Sequence, residues 1–332
     1  MKIAFFEIKD WEKKILIKNL KGHTLIFFET PLTFDNVSKV KKYDVISVFI
    51  YSKVDKKIIN SFSGLKMITT RSTGFDHIDL KTCARKKINV SNVPFYGENT
   101  VAEHTFALIL SLSRNVHKSY VRTQNNDFSI EGLKGFDLKG KTLGVVGAGR
   151  IGLHVIRMAK AFGMRVVVSD VNHDNFLAEV LGFEYVSFDE LLKASNIISL
   201  HAPHNPHTHH MINKDSIKKI KRGAILINTS RGALVDIDAL IYGLDKKILS
   251  GAGLDVLEGE ELIKEEQQLL HDKKKVEALG VLAKDHLLLS KDNVVFTPHI
   301  GFYSQEALMR ILETTIKNID NQFNNSPSNL VK

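Results

Sequence analysis

The chain of 332 residues reads as two α/β units, each a doubly wound parallel sheet, with the first unit interrupted by the second. Three features lead there. Short apolar runs alternate with polar or amphipathic segments over residues 1–100. The alternation restarts near residue 142. An amphipathic stretch, residues 304–323, follows the last strand candidate.

In the first unit the apolar runs are 3–6, 25–28, 45–50, 67–70 and 88–93, a flavodoxin-like number and spacing. Next comes a segment, 100–118, with Val101, Ala102, Phe106, Ala107, Leu108, Ile109, Leu110 and Leu112 around most of a helical circumference. Such a helix must be buried nearly all round, in the core or at a subunit interface. Strand candidates of the second unit are 142–146, 166–169, 185–187, 197–201, 224–228, 251–255 and 294–297. The tail presents Ala307, Leu308, Ile311, Leu312, Ile316 and Ile319 at helical spacing. It is expected to return and pack on the first unit. The reading is therefore residues 1–100 plus 300–332 as a discontinuous substrate-binding unit, residues 101–299 as a nucleotide-binding unit, and a cleft between them.

The densest signal is Leu143-Gly144-Val145-Val146-Gly147-Ala148-Gly149-Arg150-Ile151-Gly152. Gly147, Gly149 and Gly152 stand in a G-x-G-x-x-G frame between a strand and a helical run. The next strand ends on Asp170, 18 residues after Gly152 (170 − 152). Strand, triplet, helix, strand and terminal acid together point to a dinucleotide site. Gly147 permits the turn, Gly149 lets a pyrophosphate approach the backbone, and Gly152 lets helix and strand pack. N–H groups of the helix start hold the phosphates. Asp170 accepts from both ribose hydroxyls and repels a 2′-phosphate, which favours NAD over NADP.

Composition narrows the class. Hydrophobic residues make up 43% and charged residues 25%, ordinary for a globular protein. No apolar run approaches the roughly 20 residues that span a bilayer. The N-terminus meets charge too soon for a signal peptide. The single cysteine, Cys83, excludes an internal disulfide and fits a reducing cytoplasm; it is expected in a surface helix with a structural role. The net charge of +9 is scattered, and its longest run is Lys273-Lys274-Lys275. A solvated surface accounts for it, with neither nucleic acid nor membrane as partner.

Three residues lie at or just beyond strand ends, which border the ligand crevice in such sheets. Arg231 follows Ile227-Asn228-Thr229-Ser230, Glu260 lies five residues past Asp255, and His299 ends Val295-Phe296-Thr297-Pro298-His299. Each alone reads equally well as a surface charge or a satisfied loop residue. Together they suit reduction of a 2-oxo acid. A guanidinium grips a carboxylate bidentately, a histidine donates the proton, and a carboxylate keeps that histidine charged.

Over nearly its whole length the chain resembles the D-isomer-specific 2-hydroxyacid dehydrogenase family. The matching segments are Thr70-Arg71-Ser72-Thr73-Gly74-Phe75-Asp76-His77-Ile78-Asp79, Val101-Ala102-Glu103-His104, the glycine motif, Ile227-Asn228-Thr229-Ser230-Arg231-Gly232, Gly253-Leu254-Asp255-Val256 and Thr297-Pro298-His299. Within the family it is most similar to the D-lactate dehydrogenase branch, through Tyr96, Phe302-Tyr303-Ser304 and the long insert before His299.

The resemblance implies roles. Arg231, Glu260 and His299 form the catalytic trio. Backbone N–H groups of Ser72, Thr73 and Gly74 meet the substrate carboxylate, and Tyr96 and Phe302 line the pocket. Arg150 and Ile151 meet the pyrophosphate. Ala202, Pro203 and Thr208 border the adenosine. Thr229, Ser230, Arg231 and Asp255 lie near the nicotinamide. It further implies a cytoplasmic homodimer through helix 101–118 that reduces pyruvate. Alternatives are a related enzyme for 2-hydroxyisocaproate, glyoxylate or hydroxypyruvate, and an NAD-sensing corepressor without turnover.

Some positions depart from the family. His77 stands where relatives often have asparagine, and Leu257 replaces a common aromatic. Histidines 201, 204, 207, 209 and 210 raise a metal reading, set aside because they lie along what reads as an extended loop. The insert, 261–290, reads as two helical pieces at the surface or the substrate entrance.

Overall fold

The computed structural model describes residues 1–259, 284 and 286–331. The insert expected at 261–290 therefore lies largely outside the described residues. The chain divides into two compact units, one of Met1–Tyr96 with Ser304–Lys332 and one of Gly97–Tyr303.

In the first unit the strands are β1 (Lys2–Phe5), β2 (Thr24–Phe27), β3 (Val45–Val48), β4 (Met67–Thr70) and β5 (Asn89–Ser91). They form a parallel sheet in the order β2-β1-β3-β4-β5, the flavodoxin-like order. Every residue of β3 and β4 is buried, as a sheet covered on both faces requires. Parallel neighbours need crossovers, and α1 (Asp10–Asn19), α2 (Lys56–Asn60) and α3 (Leu80–Arg85) supply helices for them.

The C-terminal helix Gln305–Phe323 belongs to this unit. Ser304 caps it by accepting from the Ala307 N–H at 3.1 Å. Leu312 and Ile319 join Ile3, Phe5 and Met67 in one core cluster, each contributing roughly 1.5–3 kcal/mol by burial. Asn318 is fully buried, and its amide donates to the Asn92 carbonyl at 2.9 Å.

The second unit begins with α4 (Glu98–Ser113) and α5 (Val116–Gln124). The single helix expected over 100–118 is interrupted between them. Asn115 has a left-handed backbone, φ 52°, which an L residue adopts singly and not as helix. Eight residues of α4 are buried, and Ala102, Phe106, Leu108, Ile109 and Leu112 belong to this unit's own core. The core alternative therefore accounts for those five side chains.

Strands β6 (Thr142–Val146), β7 (Arg165–Ser169), β8 (Glu184–Tyr185), β9 (Ile197–Leu200), β10 (Ala224–Asn228), β11 (Leu249–Leu254) and β12 (Val294–Phe296) follow. They pair in parallel as β12-β11-β10-β9-β6-β7-β8. The helices α6 (Arg150–Ala161), α7 (Asn175–Leu181), α8 (Phe188–Ala194) and α9 (Ile237–Asp245) lie between them in sequence. The chain leaves β6 for β7 on one side and reaches β9 on the other, so the strand order reverses at β6.

Cys83 departs from the sequence expectation. It lies on the inward face of α3, 1% exposed, within the first unit's core. Burial pushes its thiol pKa up to about 11, and the Asp79 carboxylate adds to the rise. The thiolate is the reactive form, so the native protein should resist thiol reagents at neutral pH. Titration with a disulfide reagent should show almost no free thiol in native protein and one per chain in denaturant; rapid native modification would contradict this burial.

Candidate active site

The nucleotide loop forms where β6 gives way to α6. Gly147 has φ +95°, and a Cβ there would stand 2.9 Å from the Ala202 nitrogen, so only glycine fits in conformation and space. Its N–H donates to the Ser169 carbonyl at 2.9 Å. At Gly152 a Cβ would come within 2.1 Å of the Gly147 carbonyl oxygen. Gly149 differs: a Cβ would meet nothing within 4 Å. It caps α6 without a side-chain hydrogen bond. An open, side-chain-free helix start fits a pyrophosphate.

Beside the loop, the Asp170 carboxylate accepts the Ala148 N–H at 2.6 Å and the Asn172 N–H at 2.8 Å. Arg150 is exposed at the helix start, its Nη1 3.8 Å from Glu98 Oε1. Ile151 is half-buried and Ala202 buried. Thr208 Oγ1 donates to the Pro203 carbonyl at 2.6 Å, which closes this stretch into a turn. The histidines here are therefore not strung along an extended loop. His201 Nε2 lies 2.8 Å from Ser199 Oγ, and burial pulls its pKa down to about 4, so it is neutral at physiological pH.

Three neighbouring strand ends carry the rest of the site. Past β10, buried Asn228 donates to the Arg231 carbonyl at 2.9 Å. Thr229 Oγ1 lies 2.9 Å from Thr105 Oγ1, and Ser230 Oγ donates to the Ala202 carbonyl at 2.6 Å. These bonds hold the turn, while Arg231 itself is exposed. The next residue, Gly232, packs on the loop after β11; a Cβ there would lie 2.1 Å from the Leu257 carbonyl carbon. Leu257 is buried in the core below.

Past β11, Asp255 is 2% exposed. Its carboxylate accepts Thr297 Oγ1–H at 2.6 Å, the Ile300 N–H at 2.9 Å and the Gly301 N–H at 2.8 Å. His104 Nε2 stands 3.3 Å from Oδ1. Burial pushes the Asp255 pKa up, but hydrogen bonds from His104, Thr297 and Gly301 together outweigh it and hold the carboxyl below its usual range. Past β12, His299 has φ 56°, a left-handed conformation costing roughly 1–2 kcal/mol for a non-glycine residue. It is held there because its N–H donates to the Asp255 carbonyl at 2.9 Å. The Phe302 ring meets the His299 imidazole edge-on, with centroids 6.4 Å apart. Glu260 lies outside the described residues.

The remaining candidates sit in the first unit. Ser72 is buried and donates to the Gly74 carbonyl at 2.6 Å, while Thr73 Oγ1 donates to the Val93 carbonyl at 3.1 Å. Tyr96 is half-buried. His77 Nε2 lies 3.2 Å from Thr70 Oγ1, and burial lowers its pKa.

The structure thus brings Arg231, Asp255, His299 and Phe302 to one edge of the seven-stranded sheet, with the glycine loop at the same strand ends. His104 and Gly232 were missed as site residues. The signal for them lay in the segments Val101-Ala102-Glu103-His104 and Ile227-Asn228-Thr229-Ser230-Arg231-Gly232, since their partners are distant in sequence.

Residues 106–301 match the family model for the D-isomer specific 2-hydroxyacid dehydrogenase NAD-binding domain. D-lactate dehydrogenase of Escherichia coli (strain K12) is 34% identical over 97% of this chain and 96% of its own length. An aromatic 2-oxoacid reductase of Clostridium sporogenes is 38% identical over 90% of this chain and 88% of its own. The crystal structure of D-lactate dehydrogenase from Aquifex aeolicus, complexed with NAD and lactic acid, superposes with a TM-score of 0.88 at 38% identity, covering 98% of this chain and 96% of that one. The chain belongs to the D-isomer-specific 2-hydroxyacid dehydrogenase family. It is an NAD-dependent oxidoreductase acting on the CH–OH group of D-2-hydroxy acids.

Two consequences can be measured. Gly149→Ala should leave the melting temperature nearly unchanged yet weaken NADH binding about tenfold or more, because the added methyl enters the open space at the helix start. Gly152→Ala should instead destabilise by about 2 kcal/mol or more, because carbonyl and methyl cannot share that space. Equal behaviour of the two variants in thermal and NADH titrations would contradict the assignment.

Asp255→Asn should cost about 2–4 kcal/mol at neutral pH, since an amide cannot accept at both positions. A depressed carboxyl pKa stabilises the fold above the unfolded value of about 3.9 and is lost as pH falls through the folded value. The stability gap between native protein and variant, from urea unfolding, should therefore narrow below about pH 4.

Proposed function

We propose that this enzyme reduces pyruvate to D-lactate. The observation that carries the reading is that Arg231 and His299 follow β10 and β12, on either side of the loop after β11, at the same ends of the strands as the glycine loop. NADH, when bound, supplies the hydride for the carbonyl carbon. Arg231 grips the substrate carboxylate with its planar fork. His299 gives its proton to the ketone oxygen as the alcohol forms. Glu260 is assigned by the resemblance to keep that imidazole charged between turnovers. Phe302, edge-on to His299, limits the space beside the reacting carbon.

The names of the Escherichia coli and Aquifex aeolicus relatives support lactate as product. The Clostridium sporogenes relative supports a second reading, an aromatic 2-oxo acid. Initial rates with NADH across pyruvate, 2-oxoisocaproate, phenylpyruvate, glyoxylate and hydroxypyruvate separate the two. Pyruvate should show the highest kcat/KM; a tenfold lead for phenylpyruvate would move the enzyme to the aromatic branch. Arg231→Lys keeps the charge but loses the fork. It should lower kcat/KM for pyruvate about a hundredfold or more while NADH affinity stays within about twofold. Near-normal turnover would remove Arg231 from the site.

The enzyme is further proposed to work as a cytoplasmic homodimer. Cys83 needs no disulfide partner in a reducing compartment. Val116, Tyr120 and Val121 leave apolar surface exposed on α5, and Phe128 and Ile130 on the segment after it. Light scattering should give twice the chain mass, and Val121→Asp should shift it towards the monomer.

A further inference from the structure

The turn that follows β9 meets the loop that follows β11 through three potential metal ligands. His210 Nε2 lies 2.6 Å from Glu258 Oε2. The His209 ring stacks on the His210 ring with centroids 3.9 Å apart, so both imidazoles stand together on the turn. One donor atom from each of His209, His210 and Glu258 falls within 4.8 Å of the other two. Ligands around a tetrahedral zinc ion, with bonds of about 2.0–2.1 Å, are about 3.3 Å apart. Binding would open the 2.6 Å contact between His210 and Glu258 and turn the His209 and His210 rings out of their stack to bring the three donors to that spacing. His204 Nε2 lies 3.2 Å from His209 Nδ1, where it can fix the tautomer and pose of that ring. His209 is exposed, and the side chains of His210 and Glu258 are 33% and 38% exposed, which leaves an ion a path in.

We propose that His209, His210 and Glu258 form a binding site for one divalent transition-metal cation, with His204 orienting His209. Two imidazoles and one carboxylate suit a borderline ion such as zinc better than magnesium or calcium, which take oxygen donors. Bound there, the ion ties the turn carrying Pro203 and Thr208 to the loop after β11, two segments far apart in sequence. None of its ligands is a residue assigned to hydride transfer, and the site stands whether or not pyruvate is the substrate.

The test uses the full chain stripped with a chelator and then titrated with zinc chloride in competition with a chromogenic chelator. One ion should bind per chain. His209→Gln, His210→Gln and Glu258→Gln should each weaken binding about tenfold or more. His207→Gln, on the same turn but outside the cluster, should bind as the native protein does. Cobalt in place of zinc should give visible absorption bands of a nitrogen and oxygen site, lost in His210→Gln. Melting curves without metal identify any variant that fails to fold, and Glu258→Asp, which keeps the carboxylate, should retain more affinity than Glu258→Gln. No retained ion, equal binding by all variants, or an equal loss in His207→Gln would overturn the assignment.

Discussion

A buried carboxylate, that of Asp255, is the constraint on which the candidate active-site edge depends. Taking an ionised carboxyl out of water costs several kcal/mol unless donors replace the lost hydration. Here Thr297, Ile300 and Gly301 provide them, with His104 alongside. Those donors come from α4 and from the loop after β12, so satisfying one charge fixes three segments against each other. The same residue's main-chain carbonyl takes the His299 N–H. The left-handed backbone of His299 would be unfavourable alone, but it aims the next two N–H groups at the carboxylate. The strain at His299 is thus offset by the hydrogen bonds that orient it.

Close approach of backbone does the same for Arg231. The Leu257–Glu258 peptide occupies the space where a side chain at position 232 would be, so the turn after β10 can rest on the loop after β11. Gly147 and Gly152 make a similar contact within the nucleotide loop. Removing side chains at these points lets short strands end at a common level. Polar groups on successive loops then reach one edge without long excursions of chain.

Much of this was legible in the sequence, because the signals were local. The bounds of β4, β6 and β10 coincide with the apolar runs, and the C-terminal helix begins one residue after its capping serine. The glycine spacing pointed to NAD as cofactor, and the NAD-binding domain match over residues 106–301 bears out the cofactor. Other features needed the fold. Asn115 breaks a continuous apolar pattern through one backbone torsion that periodicity does not register. Cys83 is flanked by charged Lys81, Arg85 and Lys86, yet the short helix buries the single face that carries it. Asp255 was marked as lying near the nicotinamide, but its partners at 104 and 297–301 are remote in sequence. The same holds for Glu258, which meets His210 only through tertiary structure.

Two arginines stand in segments that mark the family, and their surroundings decide which can serve a ligand. Arg71 is 2% exposed. Its guanidinium donates to the Phe6 and Glu7 carbonyls at 2.7 and 3.0 Å and to Ser47 Oγ at 3.1 Å. Burial lowers its pKa, while the Glu12 and Glu7 carboxylates oppose that. Those bonds tie together the ends of β1 and β3, and breaking them to reach a substrate would leave buried carbonyls unsatisfied. Arg231 is exposed, and its Nη1 donates to the carbonyl of its own neighbour, Ser230, at 2.8 Å. Exchanging that neutral acceptor for a carboxylate replaces an ordinary hydrogen bond with a charge-assisted pair, roughly twice as strong. The gain on binding is open to Arg231 and closed to Arg71. The proposed role of Arg231 as anchor for an anionic substrate requires that it be held by bonds other than those of its guanidinium, and Asn228 and Gly232 provide that hold through its backbone.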